Sequence, residues 1–220
     1  MRPCGVIWDV DGTLVNSNDA HARAWVSALA DHHIYVSLEA VRPLIGMGGD
    51  KLLPALAQLD AESSLGRAIS ERRGEIFKTE HLPKLRAFPH ARELLQRLAD
   101  QGHKHAVASS ARREELEALL QIADVADLLV KVASSSDAHH SKPDPDIVQA
   151  ALEHLQLDPP NVLMVGDTPY DIEAAQRAGL RAIALRCGGS SDHDLQAAHA
   201  IYDSPAALLE ELATSPFAQR

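Results

Sequence analysis

The sequence predicts an α/β protein built on a doubly wound parallel sheet, with a helical domain inserted near its start. Two observations predict this fold class. Short apolar runs alternate with stretches whose apolar residues recur at helical spacing, as in strand–helix–strand units. Between residues 16 and 87 only helical patterns remain, over a length too great for one crossover connection. We therefore expect a Rossmann-like core of residues 1–15 and 88–220 and a helical domain of residues 16–87.

The core strands are predicted from short apolar runs bounded by polar or turn residues. They are residues 5–8, 105–108, 128–132, 162–165 and 182–185, with a weaker sixth strand at 200–202. Amphipathic helices are predicted between them at 91–99, 116–122 and 147–155. Three apolar stripes indicate helices in the inserted segment: Trp25, Ala28 and Leu29; Leu52, Leu53, Leu56 and Leu59; and Leu65, Ile69, Ile76 and Phe77.

The composition is that of a globular protein and excludes several partners. The chain has 220 residues and a formal net charge of −10, and its lysines and arginines never form a run longer than a pair. Binding a nucleic-acid backbone needs clustered basic residues, so we expect no nucleic-acid partner. We also expect no signal peptide, no membrane span of about 18 apolar residues, and a cytoplasmic location. The two cysteines show no zinc-binding spacing.

Two aspartates follow the first predicted strand. Asp9 and Asp11 are separated by one residue. In an extended chain this spacing places both carboxylates on one face, at the ligand-binding edge of the sheet. Carboxylates about 4 Å apart repel by roughly 4 kcal/mol near a protein surface unless a cation bridges them or one is protonated. Asp9 is a candidate nucleophile and metal ligand, and Asp11 a candidate metal ligand and general acid and base. The alternative is an acidic loop that caps the next helix.

Candidate substrate contacts stand at two strand ends. Gly12, followed by Thr13, permits a tight turn that presents backbone N–H groups to an anion. Ser109 and Ser110 follow the second predicted strand, where a hydroxyl and an N–H group can hold phosphate at a helix N-terminus. The alternative is that Ser109 only caps that helix.

A second pair of aspartates follows the predicted strand 162–165. Asp167 and Asp171 are candidate metal ligands, because carboxylate oxygens suit a hard divalent cation. Asp171 has an alternative explanation, since Thr168 as N-cap, Pro169 at N1 and Asp171 at N3 form a capping box. That explanation does not account for Asp167.

Lys142 lies in a proline-rich connection that leaves the third predicted strand. Its cation can neutralise a phosphate or the Asp9 carboxylate, and the alternative is a solvated lysine in a turn. Asp144 and Pro145 are predicted as the N-cap and N1 of the next helix. Even with a divalent cation and Lys142, the acidic site stays negative when a phosphate monoester binds. We therefore expect one carboxyl to be protonated, most simply Asp11.

Four motifs occur in order, each at a strand end or in the loop beyond it: Asp9-Val10-Asp11-Gly12-Thr13, Ser109, Lys142-Pro143 and Gly166-Asp167-x3-Asp171. On these motifs the chain resembles the haloacid dehalogenase (HAD) superfamily over essentially its whole length, and the inserted helices resemble a cap domain. The resemblance implies a phosphatase that forms an aspartyl-phosphate on Asp9. It implies that Asp11 protonates the leaving alcohol and later deprotonates water, while Ser109 and Lys142 bind the phosphoryl oxygens.

The resemblance also implies Mg²⁺ as the cofactor. The ion would be held by the side chains of Asp9 and Asp167 and by the backbone carbonyl of Asp11, with Asp171 supporting it through water. The cap would close over the site and select the substrate, a small phosphorylated metabolite. We expect the protein to be a monomer or a weak dimer.

Within the superfamily, the chain resembles phosphoglycolate phosphatases and β-phosphoglucomutases. Residues 21–25 resemble the mutases, which carry a cap arginine that grips a second phosphate. The cap segment 44–50 offers glycines and an acid instead, which favours a phosphatase, and its Gly46 and Gly48 are candidate substrate contacts. Asp11 favours phosphoryl transfer, because members that cleave carbon–halogen bonds lack this aspartate.

Two other functions fit parts of the pattern. A phosphoacceptor module like a receiver domain also combines an acidic cluster, a hydroxyl and a lysine, but such modules are shorter and a long helical insert argues against one. A scaffolding protein that keeps the fold without activity is disfavoured by the intact acids in the motifs.

Overall fold

A computed structural model describes residues 3–218 of the chain. In this region one sheet is formed by the strands β1 (Gly5–Trp8), β2 (Lys104–Ala108), β3 (Lys131–Ala133), β4 (Val162–Gly166), β5 (Arg181–Leu185) and β6 (Ala200–Tyr202). All neighbouring strands are parallel, and their order across the sheet is β3-β2-β1-β4-β5-β6. The predicted fold class is confirmed.

Helices lie between the strands and after the last one. They are α1 (Asn18–Asp31), α2 (Leu38–Val41), α3 (Gly49–Ala57), α4 (Ser64–Ile76), α5 (Ala91–Asp100), α6 (Arg113–Ala123), α7 (Asp146–Leu155), α8 (Pro169–Arg177), α9 (Asp192–Leu195) and α10 (Pro205–Glu210). Side chains of β1 alternate between the two faces, with Val6 and Trp8 in one buried cluster and Ile7 in the other. Because both faces are covered, the strand is a continuous apolar run.

The segment between β1 and β2 contains helices and turns but no further strand in the described chain. Trp25, Ala28 and Leu29 of α1 are buried, as their spacing predicts, and α1 packs against α4. Leu65 of the third apolar stripe lies on α4 but is 40% exposed, whereas Ile69, Ile76 and Phe77 are buried. Gly66 takes the inward position, where an added Cβ would lie 2.3 Å from the carbonyl oxygen of Asp60.

Several predicted boundaries also differ from the structure, such as the start of α6, which is Arg113 rather than residue 116. β3 covers Lys131–Ala133 rather than 128–132, because Ala126–Leu128 forms a 3-10 turn whose apolar residues resemble the start of a strand. α7 begins at Asp146 with Pro145 as its N-cap, one residue later than predicted. Asp144 forms an ion pair with Lys51 instead.

The order of the strands reverses at β1, which lies between β2 and β4. Ligands bind outside the carboxyl ends of the strands at such a reversal. Trp8 pairs with Val107 of β2 and with Val165 of β4, so the residues that follow these three emerge side by side. No helix in residues 3–218 combines the length and apolarity needed to cross a bilayer.

Candidate active site

The candidate residues from distant parts of the sequence meet at this edge of the sheet. Asp9 follows β1, Ser109 follows β2 and Asp167 follows β4, and all three are buried. The parallel register brings them together, as the positions of the motifs predict.

Lys142 lies at the centre of this group. The lysine is 1% exposed, and its Nζ donates to Asp9 Oδ1 at 2.5 Å, to Asp171 Oδ1 at 2.6 Å and to the Ala108 carbonyl oxygen at 3.3 Å. Burial lowers the pKa of the Lys142 amine, but the two carboxylates outweigh burial and raise it above its usual range. Lys142 is therefore a buried cation that orients Asp9, and the solvated-turn alternative is wrong.

Three of the carboxylates form a cluster of the size that a metal ion needs. Asp9, Asp167 and Asp171 are buried, and each offers an oxygen within 4.8 Å of those of the other two. Burial raises the pKa of Asp9 to about 7 although Lys142 opposes it, and burial together with Asp9 and Asp171 raises the pKa of Asp167 well above its usual range. These raised pKa values indicate that the site holds too little positive charge for its carboxylates. A divalent cation would supply that charge, and carboxylate oxygens are hard ligands that suit it.

Asp171 serves the helix and the site together. Its Oδ2 accepts from the N–H and hydroxyl groups of Thr168, at 3.0 and 2.6 Å, and completes the predicted capping box of α8. Its Oδ1 accepts from Lys142. Asp171 thus connects the N-terminal cap of α8 to Lys142.

The Asp11 carboxylate lies outside the cluster of three and contacts Ser17 and His21. Its Oδ1 accepts from the Ser17 hydroxyl at 2.5 Å and lies 2.8 Å from His21 Nε2. Burial would raise the pKa of Asp11, but His21 and Ser17 outweigh it and hold the pKa below its usual value. The expectation that Asp11 is the protonated carboxyl therefore does not describe this arrangement.

His21 is a site residue that the sequence reasoning missed. It is buried on α1, stacks on Phe77 with ring centroids 4.0 Å apart, and has its Nδ1 3.8 Å from Glu115 of α6. A signal was available, because His21 stands four residues before Trp25 and seven before Ala28, on the apolar stripe of the same helix.

Gly12 and Thr13 occupy a different place from the one predicted. The Gly12 N–H donates to the Val15 carbonyl at 2.8 Å and the Thr13 N–H to the Val10 carbonyl at 3.3 Å, so neither is free to bind an anion. The Thr13 hydroxyl donates to Asp167 Oδ1 at 3.1 Å. Both residues support the acidic cluster and do not line the cavity beside it.

Ser109 and Ser110 both line that cavity. The Ser109 hydroxyl accepts from the Ala111 N–H at 3.1 Å, whereas α6 begins at Arg113 with Arg112 as its N-cap. Ser109 is therefore not a helix cap, and its side chain closes a turn at the floor of the cavity.

The cavity has a volume of about 60 Å³ and lies between the sheet edge and the inserted helices. Its polar lining includes Asp9, Asp11, His21, Arg73, Glu115 and Lys142. Gly46 and Gly48 line it as well, but the Gly48 N–H already donates to Ser141 Oγ at 3.0 Å, and the Gly46 carbonyl accepts from Ser110 Oγ at 3.4 Å.

Two ion pairs join the inserted segment to the core around this cavity. Arg73 of α4 donates to both oxygens of Glu115, at 3.0 and 2.9 Å, and packs over the ring of Trp25 at 5.4 Å. Lys51 of α3 pairs with Asp144, two residues after the catalytic candidate Lys142.

Comparisons with known proteins agree with this geometry. Residues 6–185 match the family model described as haloacid dehalogenase-like hydrolase. The chain is 31% identical over 201 residues to "Probable phosphatase IndB" of Dickeya dadantii (strain 3937), covering 90% of this chain and 87% of that protein. It is 30% identical over 186 residues to "Pyrophosphatase PpaX" of Bacillus mycoides (strain KBAB4), covering 84% of each.

A solved structure of a hydrolase from Pseudomonas syringae superposes with a TM-score of 0.89 at 27% identity, covering 96% of this chain and 98% of that one. The resemblance inferred from the four motifs is thereby confirmed, and the chain belongs to the haloacid dehalogenase-like hydrolase family.

Proposed function

We propose that this hydrolase is a phosphatase that removes the phosphoryl group of a small phosphate monoester by transferring it first to Asp9. The observation that carries the proposal is the contact between Lys142 and Asp9 beside the carboxylates of Asp167 and Asp171. A buried nucleophile oriented by a cation, at the edge of a cavity, is the arrangement that nucleophilic catalysis requires. The relatives named as a phosphatase and a pyrophosphatase support the same chemistry.

The cofactor is proposed to be Mg²⁺, held by Asp9, Asp167 and the backbone carbonyl of Asp11. Its chemistry would be to neutralise the carboxylates and the phosphoryl oxygens. The fit is supported by three buried carboxylates and by the raised pKa values of Asp9 and Asp167. Asp171 would act through Lys142 and α8.

In the first step, an Asp9 oxygen bonds to phosphorus while the bond from phosphorus to the leaving oxygen breaks. Asp11, which would take up a proton when the doubly negative substrate binds, gives that proton to the leaving oxygen. In the second step, Asp11 takes a proton from water, whose oxygen attacks phosphorus and releases phosphate and free Asp9. Lys142 and Ser109 would bind the phosphoryl oxygens. His21 and Ser17 hold the Asp11 carboxyl in one orientation for both steps.

Residues 16–87 are proposed to act as a cap that encloses the substrate. The cavity of about 60 Å³ suits a phosphoryl group, and an adjoining cavity of about 280 Å³ shares Trp25 and Arg73 with it and can hold the leaving group. A mutase-like function stays the alternative, because Arg73 is paired with Glu115 but Arg67 and Arg112 also line the adjoining cavity. A phosphoglycolate phosphatase-like substrate stays the leading proposal, and the cytoplasmic location and the monomeric or weakly dimeric state stay predictions.

Hydrolysis of p-nitrophenyl phosphate tests this function. With Mg²⁺ we expect many turnovers per protein, loss of activity in EDTA, and a fall in kcat of at least about 10³-fold in Asp9→Asn. Asp158→Asn, an exposed aspartate far from the cavity lining, is the matched control and should be unchanged. Release of a single equivalent would instead indicate a phosphoacceptor module, and an active Asp9→Asn protein would contradict the proposed nucleophile.

A further inference from the structure

Asn18 is a buried amide in direct contact with a candidate metal ligand. It is the first residue of α1 and is 2% exposed. Its Nδ2 donates to Asp167 Oδ2 at 2.7 Å and to the Gly188 carbonyl oxygen at 3.0 Å. One side chain from the inserted segment thus joins two loops of the core.

These two contacts determine which way the amide faces. Asp167 Oδ2 and the Gly188 carbonyl are both acceptors, so the NH₂ group of Asn18 must face them and Oδ1 must face elsewhere. Oδ1 is buried and has no hydrogen-bond partner in residues 3–218. An unsatisfied buried acceptor is costly, and a fold tolerates it where a ligand supplies the donor.

The backbone at Gly12 and at Gly188 lies close against the contact between Asn18 and Asp167. A Cβ added to Gly188 would lie 1.8 Å from Asp167 Oδ2, and one added to Gly12, whose φ is +77°, would lie 2.1 Å from Asn18 Nδ2. Glycine is therefore required at both positions, since any side chain there would displace Asn18 or Asp167. Arg42 also donates to the Gly188 carbonyl and pairs with Asp19, which fixes the first turn of α1.

We propose that Asn18 is a positioning residue for the divalent cation. Its NH₂ group orients Asp167, and its Oδ1 accepts a hydrogen bond from the hydration water of the ion. Mg²⁺ dehydrates reluctantly and keeps several waters, whose hydrogens need acceptors. Partners of this outer kind typically change metal affinity by about 10–100-fold when they are removed. The inference rests on the cation site of the proposed function and adds a residue to it.

Isothermal titration calorimetry with Mg²⁺ tests this role without measuring activity. Asn18→Ala is expected to bind Mg²⁺ about 10–100-fold more weakly than the wild-type chain. Asn16→Ala is the matched control, because Asn16 is exposed two residues earlier in the same loop, and it should bind as the wild type does. Thermal unfolding in EDTA shows whether each variant is folded before titration.

A crystal structure of the wild-type protein with Mg²⁺ decides the question if Asn18→Ala does not fold. We expect Asn18 Oδ1 within hydrogen-bond distance of a water on the ion. Folded Asn18→Ala that binds Mg²⁺ as tightly as the wild type would overturn the inference, and so would a structure with Oδ1 turned away from the ion. In either case, hydrolysis of p-nitrophenyl phosphate by the wild type would still support the proposed function. The wild-type protein could bind Mg²⁺ but hydrolyse no p-nitrophenyl phosphate. If Asn18→Ala then bound Mg²⁺ more weakly, the inference would be supported and the proposed function refuted. Absence of Mg²⁺ binding by the wild type would overturn both.

Discussion

His21 Nε2 lies 2.8 Å from Asp11 Oδ1, and the same imidazole has Glu115 3.8 Å from its other nitrogen. The histidine therefore links the proposed general acid and base to the core helix α6. The imidazole also stacks on Phe77, with the two rings nearly parallel and their centroids 4.0 Å apart. Burial raises the pKa of Asp11, and the contacts with His21 and Ser17 together lower it below its usual value.

Replacing His21 with Gln is expected to raise the pKa of Asp11, because the contact that lowers it is weakened. The second step needs ionised Asp11, so the acid limb of the kcat profile should move to higher pH. p-Nitrophenyl phosphate is the suitable substrate, since its leaving group needs no proton. An acid limb at the wild-type pH, with only a lower plateau, would contradict this role of His21.

Local sequence patterns predicted much of the fold and part of the candidate site. The bounds of β1 and β6 were predicted to the residue, because Asp9 follows β1 directly and His199 and Asp203 flank β6. The meeting of Asp9 with Asp167 was predictable as well, since parallel strands end at one edge. Asn18 was not found, because its contacts depend on how α1 packs against the loops of the core. The burial of His21 could have been predicted from the apolar stripe of α1, but its contact with Asp11 could not.

Removing the amine of Lys142 should destabilise the protein as well as inactivate it. Lys142→Met leaves Asp9 and Asp171 buried without their cation, a loss of about 3 kcal/mol in the free energy of unfolding. Urea unfolding in EDTA measures it, with Lys84→Met at an exposed position as the control. A variant as stable as this control would show that the buried ion pairs contribute nothing to stability.

Mg²⁺ affinity should rise with pH across neutrality. The cation binds ionised carboxylates, and the pKa of Asp9 is raised to about 7 by burial. Between pH 6 and pH 8 the affinity should increase roughly 10-fold, with proton release on binding below pH 7. Calorimetry in buffers of different ionisation enthalpy measures both quantities, and Asp167→Asn should lose most of the binding. An affinity independent of pH would mean that Asp9 is already ionised without the metal.

A buried histidine in the sheet should make the fold sensitive to acid. Trp8 Nε1 donates to His105 Nδ1 at 3.0 Å, and burial, with His103 nearby, lowers the pKa of His105 to about 4. Above pH 6.5 the ring is neutral in both states, so its contribution is complete. As the pH falls toward 4, only the unfolded chain takes up the proton, and stability falls by about 2 kcal/mol by pH 4.5.

Urea unfolding of the wild type and of His105→Gln at pH 7 and pH 4.5 isolates this effect from the other titrating groups. Glutamine keeps an acceptor for Trp8 but has no proton to gain, so the variant should lose about 2 kcal/mol less on acidification. Parallel losses in the two proteins would exclude His105 as the source.

The central claim is that Asp9 carries the phosphoryl group, and mass spectrometry of acid-quenched protein tests it most directly. During turnover of p-nitrophenyl phosphate with Mg²⁺, we predict a phosphoryl adduct on the peptide that contains Asp9. Borohydride reduction should convert that residue to homoserine, and neither product should form in Asp9→Asn. Steady hydrolysis with no adduct on Asp9, or an adduct on another residue, would contradict the account.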